Sequence, residues 1–148
     1  MDTGFLFGWR CRSIILTSLA LLAVTMGSPA LAYEKKFGDI LVHYSTFDTA
    51  FLSPEIAARY GIERSSRKGC INLAVHKNDK PQRAQITITR SNLMGQRKTL
   101  KPRLIEEGDA IYYLVFLDIT PGELFKFDLS ITPEKSQTSH QFKFNQKF

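Results

Sequence analysis

Thr120-Pro121-Gly122-Glu123-Leu124-Phe125-Lys126-Phe127-Asp128-Leu129-Ser130-Ile131-Thr132 is a turn followed by strict two-residue alternation. Pro-Gly punctuates the chain, and Phe125, Phe127, Leu129 and Ile131 then share one face while Lys126, Asp128 and Ser130 share the other. That is a strand with one dry and one wet side. The same period recurs on both sides of it. Upstream, Ala110 to Leu117 is apolar on both faces, which predicts cover on both sides, by an opposite sheet and by the loop or helix near residues 53–61. Lys98 to Ile105 reads as a weaker strand, and Pro102 within it predicts an edge position, where a missing amide donor costs little. Ala84, Ile86 and Ile88 alternate with Gln85, Thr87 and Thr89. Strands are also predicted over Cys70 to His76, Asp39 to Ser45 and Phe142 to Phe148, separated by turn-forming stretches such as Lys77-Asn78-Asp79-Lys80-Pro81.

One helix is predicted, near residues 53–60. Ser53 suits the N-cap, Pro54 the first helical position, Glu55 the positive end of the helix dipole, and Gly61 the C-terminal stop. Seven short strands and one helix predict a mainly β fold: a two-sheet antiparallel sandwich of immunoglobulin or fibronectin type III kind. Ile119 to Leu129 resembles the fibronectin type III turn-and-strand pattern, with Phe125 where that family carries its corner tyrosine. Phenylalanine has no hydroxyl for the corner hydrogen bond, so this likeness speaks to architecture alone.

Residues 1–32 have the layout of a cleaved signal peptide: Arg10 and Arg12, an apolar run from Ile14 to Met26, then Ala30-Leu31-Ala32. The run of 13 residues is short of the roughly 20 that span a bilayer, and Gly27-Ser28-Pro29 breaks it. The expected cut falls between Ala32 and Tyr33, leaving a single β-sandwich domain, 33–148, in the periplasm. Cleavage removes Trp9 and Cys11, reduces Lys and Arg from 20 to 18 and Asp and Glu from 14 to 13, and leaves a net charge of +5. Cys70 is then the sole cysteine, so no disulfide forms within the domain. Three fates are open to it: a buried small hydrophobe, an intermolecular bridge or a reactive thiol.

No motif of nucleophilic catalysis is present, neither Gly-x-Ser-x-Gly nor Ser-x-x-Lys. His43, His76 and His140 lie on different elements without a local metal-binding spacing, although His43 and His76 share the parity that lets them meet across strands. Met94 is the one thioether after cleavage, which argues against copper handling. No cofactor or metal is expected. Two loose basic groups, Arg59, Arg64, Arg67 and Lys68, then Arg97, Lys98, Lys101 and Arg103, would suit a phosphate-rich or acidic surface if they shared a face. An exported domain is not expected to meet nucleic acid. The aromatic tail ending in Phe148 is of the kind that closes outer-membrane barrels, but the strands are too short and too cationic for one.

Phe37-Gly38-Asp39, Val42-His43-Tyr44-Ser45, Phe51-Leu52-Ser53-Pro54-Glu55-Ile56-Ala57, Tyr60-Gly61-Ile62-Glu63-Arg64-Ser65, Asn72, Asn92-Leu93-Met94-Gly95-Gln96 and Ile111-Tyr112-Tyr113 resemble a bacterial family of exported proteins catalogued as domain of unknown function 4426. The resemblance runs from about residue 34 to residue 132. It implies a periplasmic protein and brings no catalytic residues. His43, Tyr44, Arg64, Asn72 and Asn92 stand out as polar groups among apolar ones, and buried polar groups need partners. Either they tie the 46–69 excursion to the sheet, or they line a ligand or peptide groove beneath it. The expected function is that of a non-enzymatic binding or accessory domain, acting through a sheet edge or a groove beside the 53–60 helix, with a protein, lipid-headgroup or glycan partner. The alternative is an enzyme or metal-dependent factor using His43, His76 or Cys70.

Overall fold

The computed structural model describes residues 32–148. Apart from Ala32, the predicted signal peptide lies outside the described residues. Ten strands form two antiparallel sheets. The first sheet runs in the order β1 (Ala32–Phe37), β2 (Ile40–Asp48), β3 (Lys68–Lys77), β8 (Ala110–Asp118), β7 (Arg103–Glu107), with β4 (Lys80–Pro81) paired to the end of β3. The second runs β10 (His140–Lys147), β9 (Leu124–Pro133), β5 (Ala84–Ser91), β6 (Arg97–Leu100). The mainly β, immunoglobulin-like sandwich read from the sequence is the fold observed.

The alternating stretch that follows Pro121-Gly122 is β9. Phe125, Phe127 and Ile131 are fully buried, and they face Ile71, Leu73 and Val75 of β3, which are equally so. Each such side chain stabilises the fold by roughly 1.5–3 kcal/mol on leaving water. Along one flank the core becomes an aromatic seam. Tyr44 packs 4.7 Å from Phe144 and 5.5 Å from Phe142, and Phe127 stacks on Phe144 at 4.9 Å, centroid to centroid. Gly69 lets β3 and β10 close at one end: a Cβ there would lie 2.8 Å from the Phe148 ring.

Two departures from the sequence reading have plain causes. The single strand expected over 98–105 is two strands on different sheets, β6 and β7, with the chain crossing between sheets at Lys101-Pro102. Proline offers no ladder donor and fixes φ, so pairing stops there and resumes on the other sheet. Both pieces are edge strands, as Pro102 implied. β1 was not anticipated, because an edge strand exposed on nearly its whole length carries no apolar alternation. The β3–β4 turn has Asn78 and Asp79 both at positive φ (49° and 61°), the two-residue hairpin geometry that Asn and Asp tolerate.

The predicted helix is α1, Pro54–Tyr60. Ser53 Oγ accepts from the Ile56 amide at 3.3 Å, and Gly61 closes the helix in the left-handed region. With the 3-10 turn Thr49–Phe51 it forms an excursion between β2 and β3 that lies on the outer face of the first sheet.

Candidate functional site: the half-roofed outer face of the first sheet

Register decides which side chains share that outer face. Phe47, Ser45, His43 and Leu41 of β2 pair with Cys70, Asn72, Ala74 and His76 of β3, and Cys70 and Asn72 pair in turn with Phe116 and Leu114 of β8. Side chains of paired residues point to the same side. One half of this face is apolar and is covered by the excursion. Leu52, Ile56, Tyr60 and Ile62 come down on Phe47, Cys70, Ile105 and Leu114, leaving a groove of about 170 Å³ beside α1. The other half is uncovered, and there His43, Ser45, Asn72, Ala74, His76 and Tyr112 line a hollow of about 350 Å³. Asn72 and Tyr112 belong to both, so the two hollows form one furrow.

The roof is held by a residue the sequence reading passed over. Thr49 is completely buried; its hydroxyl donates to the Glu63 carbonyl at 2.7 Å and accepts from the Ser65 amide at 3.0 Å. This pins the return of the excursion to its start. Arg64 adds a bond to the Ala50 carbonyl at 3.1 Å, and the Tyr60 hydroxyl bonds Glu107 on β7. The Glu107 bond holds the Tyr60 phenol above its ordinary pKa.

In the open half, His43 and His76 meet edge to face with ring centroids 5.0 Å apart. Glu34 of β1 reaches His43 Nδ1 at 3.1 Å. Burial, then the neighbouring His43, push the His76 pKa below its ordinary value. Asn72 Oδ1 is shut off from solvent and has no hydrogen-bond partner. A buried acceptor without a donor costs about 1–3 kcal/mol.

The residues singled out in the sequence are therefore not one constellation. His43, His76 and Asn72 come together in the furrow. Tyr44 adjoins the open hollow, but its ring lies on the opposite face: it is buried in the aromatic seam, stacks on Tyr33 at 5.3 Å, and burial raises its pKa. Arg64 braces the excursion. Asn92 shapes its own loop, its Oδ1 accepting from the amides of Met94 and Gln96 at 3.1 and 3.0 Å. His140 stacks on Phe37 at 5.0 Å, away from the other two histidines. Cys70 is buried at the floor of the roofed half, and burial pushes its thiol up to about 12 despite the opposing charge of Arg103. It is thus a protonated thiol at neutral pH. Among the described residues, no group of three or more His, Cys, Asp or Glu side chains could hold a metal ion.

Fold and face together define an immunoglobulin-like sandwich with a partly roofed furrow on one sheet. The family model described as Domain of unknown function (DUF4426) matches residues 34–148, and the chain belongs to that family. The match continues beyond residue 132, where the likeness in sequence fades, through the last strand. A DUF4426 family protein from Pseudomonas aeruginosa PAO1 superposes with a TM-score of 0.71 at 31% identity, covering 79% of this chain and 94% of that one. FetP from uropathogenic Escherichia coli strain F11 shares the fold at 10% identity. A copper-bound variant of FetP gives a TM-score of 0.54, over 78% of this chain and 93% of that one. FetP expressed recombinantly in the periplasm of E. coli gives 0.56, over 82% and 97%. No curated protein matches the chain. Among the described residues, no helix is long and apolar enough to cross a membrane.

Proposed function

We propose that this protein is a non-enzymatic periplasmic binding or accessory domain whose ligand lies in the furrow on the outer face of the first sheet. The observation that carries the reading is Asn72: its Oδ1 is buried and unpartnered at the point where the roofed and open halves join. A turn of the Asn72 side chain would bring that oxygen to an N–H or O–H donor of a ligand in the furrow. Its apolar part would rest on Ala74 and Tyr112, and the two imidazoles would supply further polar contacts. A short peptide segment has this chemistry. The exposed edge of β1, beside the open half, offers it additional backbone pairing. Export rests on the signal-peptide layout, and cleavage before Tyr33 would trim Ala32 from the furrow's rim.

The test is photo-crosslinking in the exporting bacterium, with a benzophenone amino acid at position 112 and a control at Thr87 on the outer face of the second sheet. The reading expects an adduct at position 112 that is absent at 87 and disappears in the Asn72→Leu variant. Equal labelling at both positions, or labelling indifferent to Asn72, would refute it.

A further inference from the structure

The most exposed large apolar side chains of the sandwich are not in the furrow. Phe51 is 81% exposed, Met94 79% and Leu93 72%, whereas every other large hydrophobe among the described residues is at most 42% exposed. The topology brings these three to one end. β2 finishes at Asp48 opposite Gly69, next to the start of β3, and Lys68 pairs with Asp118 at the end of β8. On the second sheet, Ser91 at the end of β5 lies opposite Lys126 near the start of β9, and Leu124 lies opposite Lys147 at the end of β10. The 3-10 turn bearing Phe51 and the 92–96 loop bearing Leu93 and Met94 therefore leave β2 and β5 at the same end of the sandwich.

That end is also where the charge collects. Segments 48–53, 63–68, 90–98, 118–126 and 145–148 carry eight Lys and Arg against four Asp and Glu. At the far end, segments 36–39, 77–83, 106–110 and 133–139 carry five against six. The basic groups around Arg64 to Lys68 and Arg97 to Lys98, separate in sequence, meet here. Lys68 binds Asp118 at 2.7 Å, and the carboxyl of Asp118 is held below its ordinary value by Lys68 first, then by Lys98 and Arg90. Arg67, Lys98 and Lys126 have no ion-pair partner among the described residues. The Leu93-Met94 tip is preformed. Asn92 accepts from two amides of its own loop and donates to the Gln96 side chain, while Gly95 takes a φ of 78°.

We infer that this end of the sandwich docks onto an anionic phospholipid bilayer, with Leu93, Met94 and Phe51 entering the interface and the surrounding cations held at the phosphates. The composition matches a membrane surface: exposed apolar side chains share one end of the sandwich with an excess of positive charge, and binding strength comes from both. This surface is separate from the furrow, so either can fail without the other.

The test is co-sedimentation of residues 33–148, which contain both sheets and their shared core, with vesicles of phosphatidylcholine alone or mixed with phosphatidylglycerol. Leaving out the leader means that membrane binding cannot come from its apolar run. Sedimentation is expected with the anionic vesicles at low salt, with much less at high salt or with phosphatidylcholine alone. Leu93→Ser with Met94→Ser should weaken it at least about tenfold. Lys98→Gln with Lys126→Gln should weaken it about thirtyfold, at roughly 1 kcal/mol per lost cation near such a surface. All four side chains are exposed, so unchanged melting temperatures will show that the variants remain folded. Failure to sediment with anionic vesicles at low salt would overturn the proposal, as would full binding by the Leu93→Ser, Met94→Ser variant. Binding to a soluble polyanion such as polyglutamate without binding to vesicles would overturn it too, and would assign the surface to an acidic protein.

Discussion

The roofed and open halves of the first sheet's outer face share strands β2, β3 and β8, yet they differ in how their polar groups are satisfied. Under the roof, the fully buried side chain of Thr49 has partners for both its hydrogen and its lone pairs, and most of the side chains beneath are apolar. In the open half, Asn72 keeps an acceptor unmatched and two histidines sit side by side. A fold optimised for stability alone would have resolved both. On the proposed function, the roofed half holds the structure and the open half is left for the ligand.

That contrast can be broken or sharpened by substitution. The largest effect is expected at Thr49→Val, which strands the Glu63 carbonyl and the Ser65 amide and should cost about 1–3 kcal/mol in urea unfolding. A loss of only a few tenths would mean that the excursion is held elsewhere. Ser53→Ala removes the cap of α1 and should cost about 1 kcal/mol by the same measurement. In the open half the sign should reverse. Asn72→Leu removes an unmatched acceptor and should leave stability unchanged or raise it by up to about 1 kcal/mol, while abolishing the crosslink from position 112.

The smallest effect is pH dependence. The folded-state pKa of His76 lies below its ordinary value, so the unfolded chain takes up the proton first. Its contribution is therefore whole above the ordinary histidine value of about 6.5 and declines as pH falls through it toward the folded-state pKa. His76→Gln should flatten the slope of stability against pH in that window. An unchanged slope would place its origin elsewhere.

Much of this was legible in the sequence, for identifiable reasons. Period-two alternation marks β9, β5 and β3 because one face of each is dry, and Ser53-Pro54-Glu55 with Gly61 marks α1 because capping chemistry is local. β1 was hidden because Tyr33-Glu34-Lys35-Lys36 is an exposed edge with no dry face. The sheet switch at Pro102 could be read as an edge but not as two edges, since the choice of the second partner is tertiary. In the site, shared parity put His43 within reach of His76, but Tyr44 was grouped with His43 although neighbouring residues of a strand point to opposite faces, and its ring turns inward to the core. Thr49 left no trace, because its partners are backbone groups some 15 residues away whose position depends on the excursion being folded.

The claim that the open half is a binding surface is tested most directly by nuclear magnetic resonance. The isotope-labelled protein would be titrated with the peptide and small-molecule fraction of periplasmic extract. Shifts are expected at Ser45, Asn72, Ala74 and Tyr112, including the Asn72 side-chain amide, with Gln85 and Thr87 on the second sheet unmoved and the response lost in Asn72→Leu. No shift on the outer face of the first sheet, or the same shifts in that variant, would contradict it.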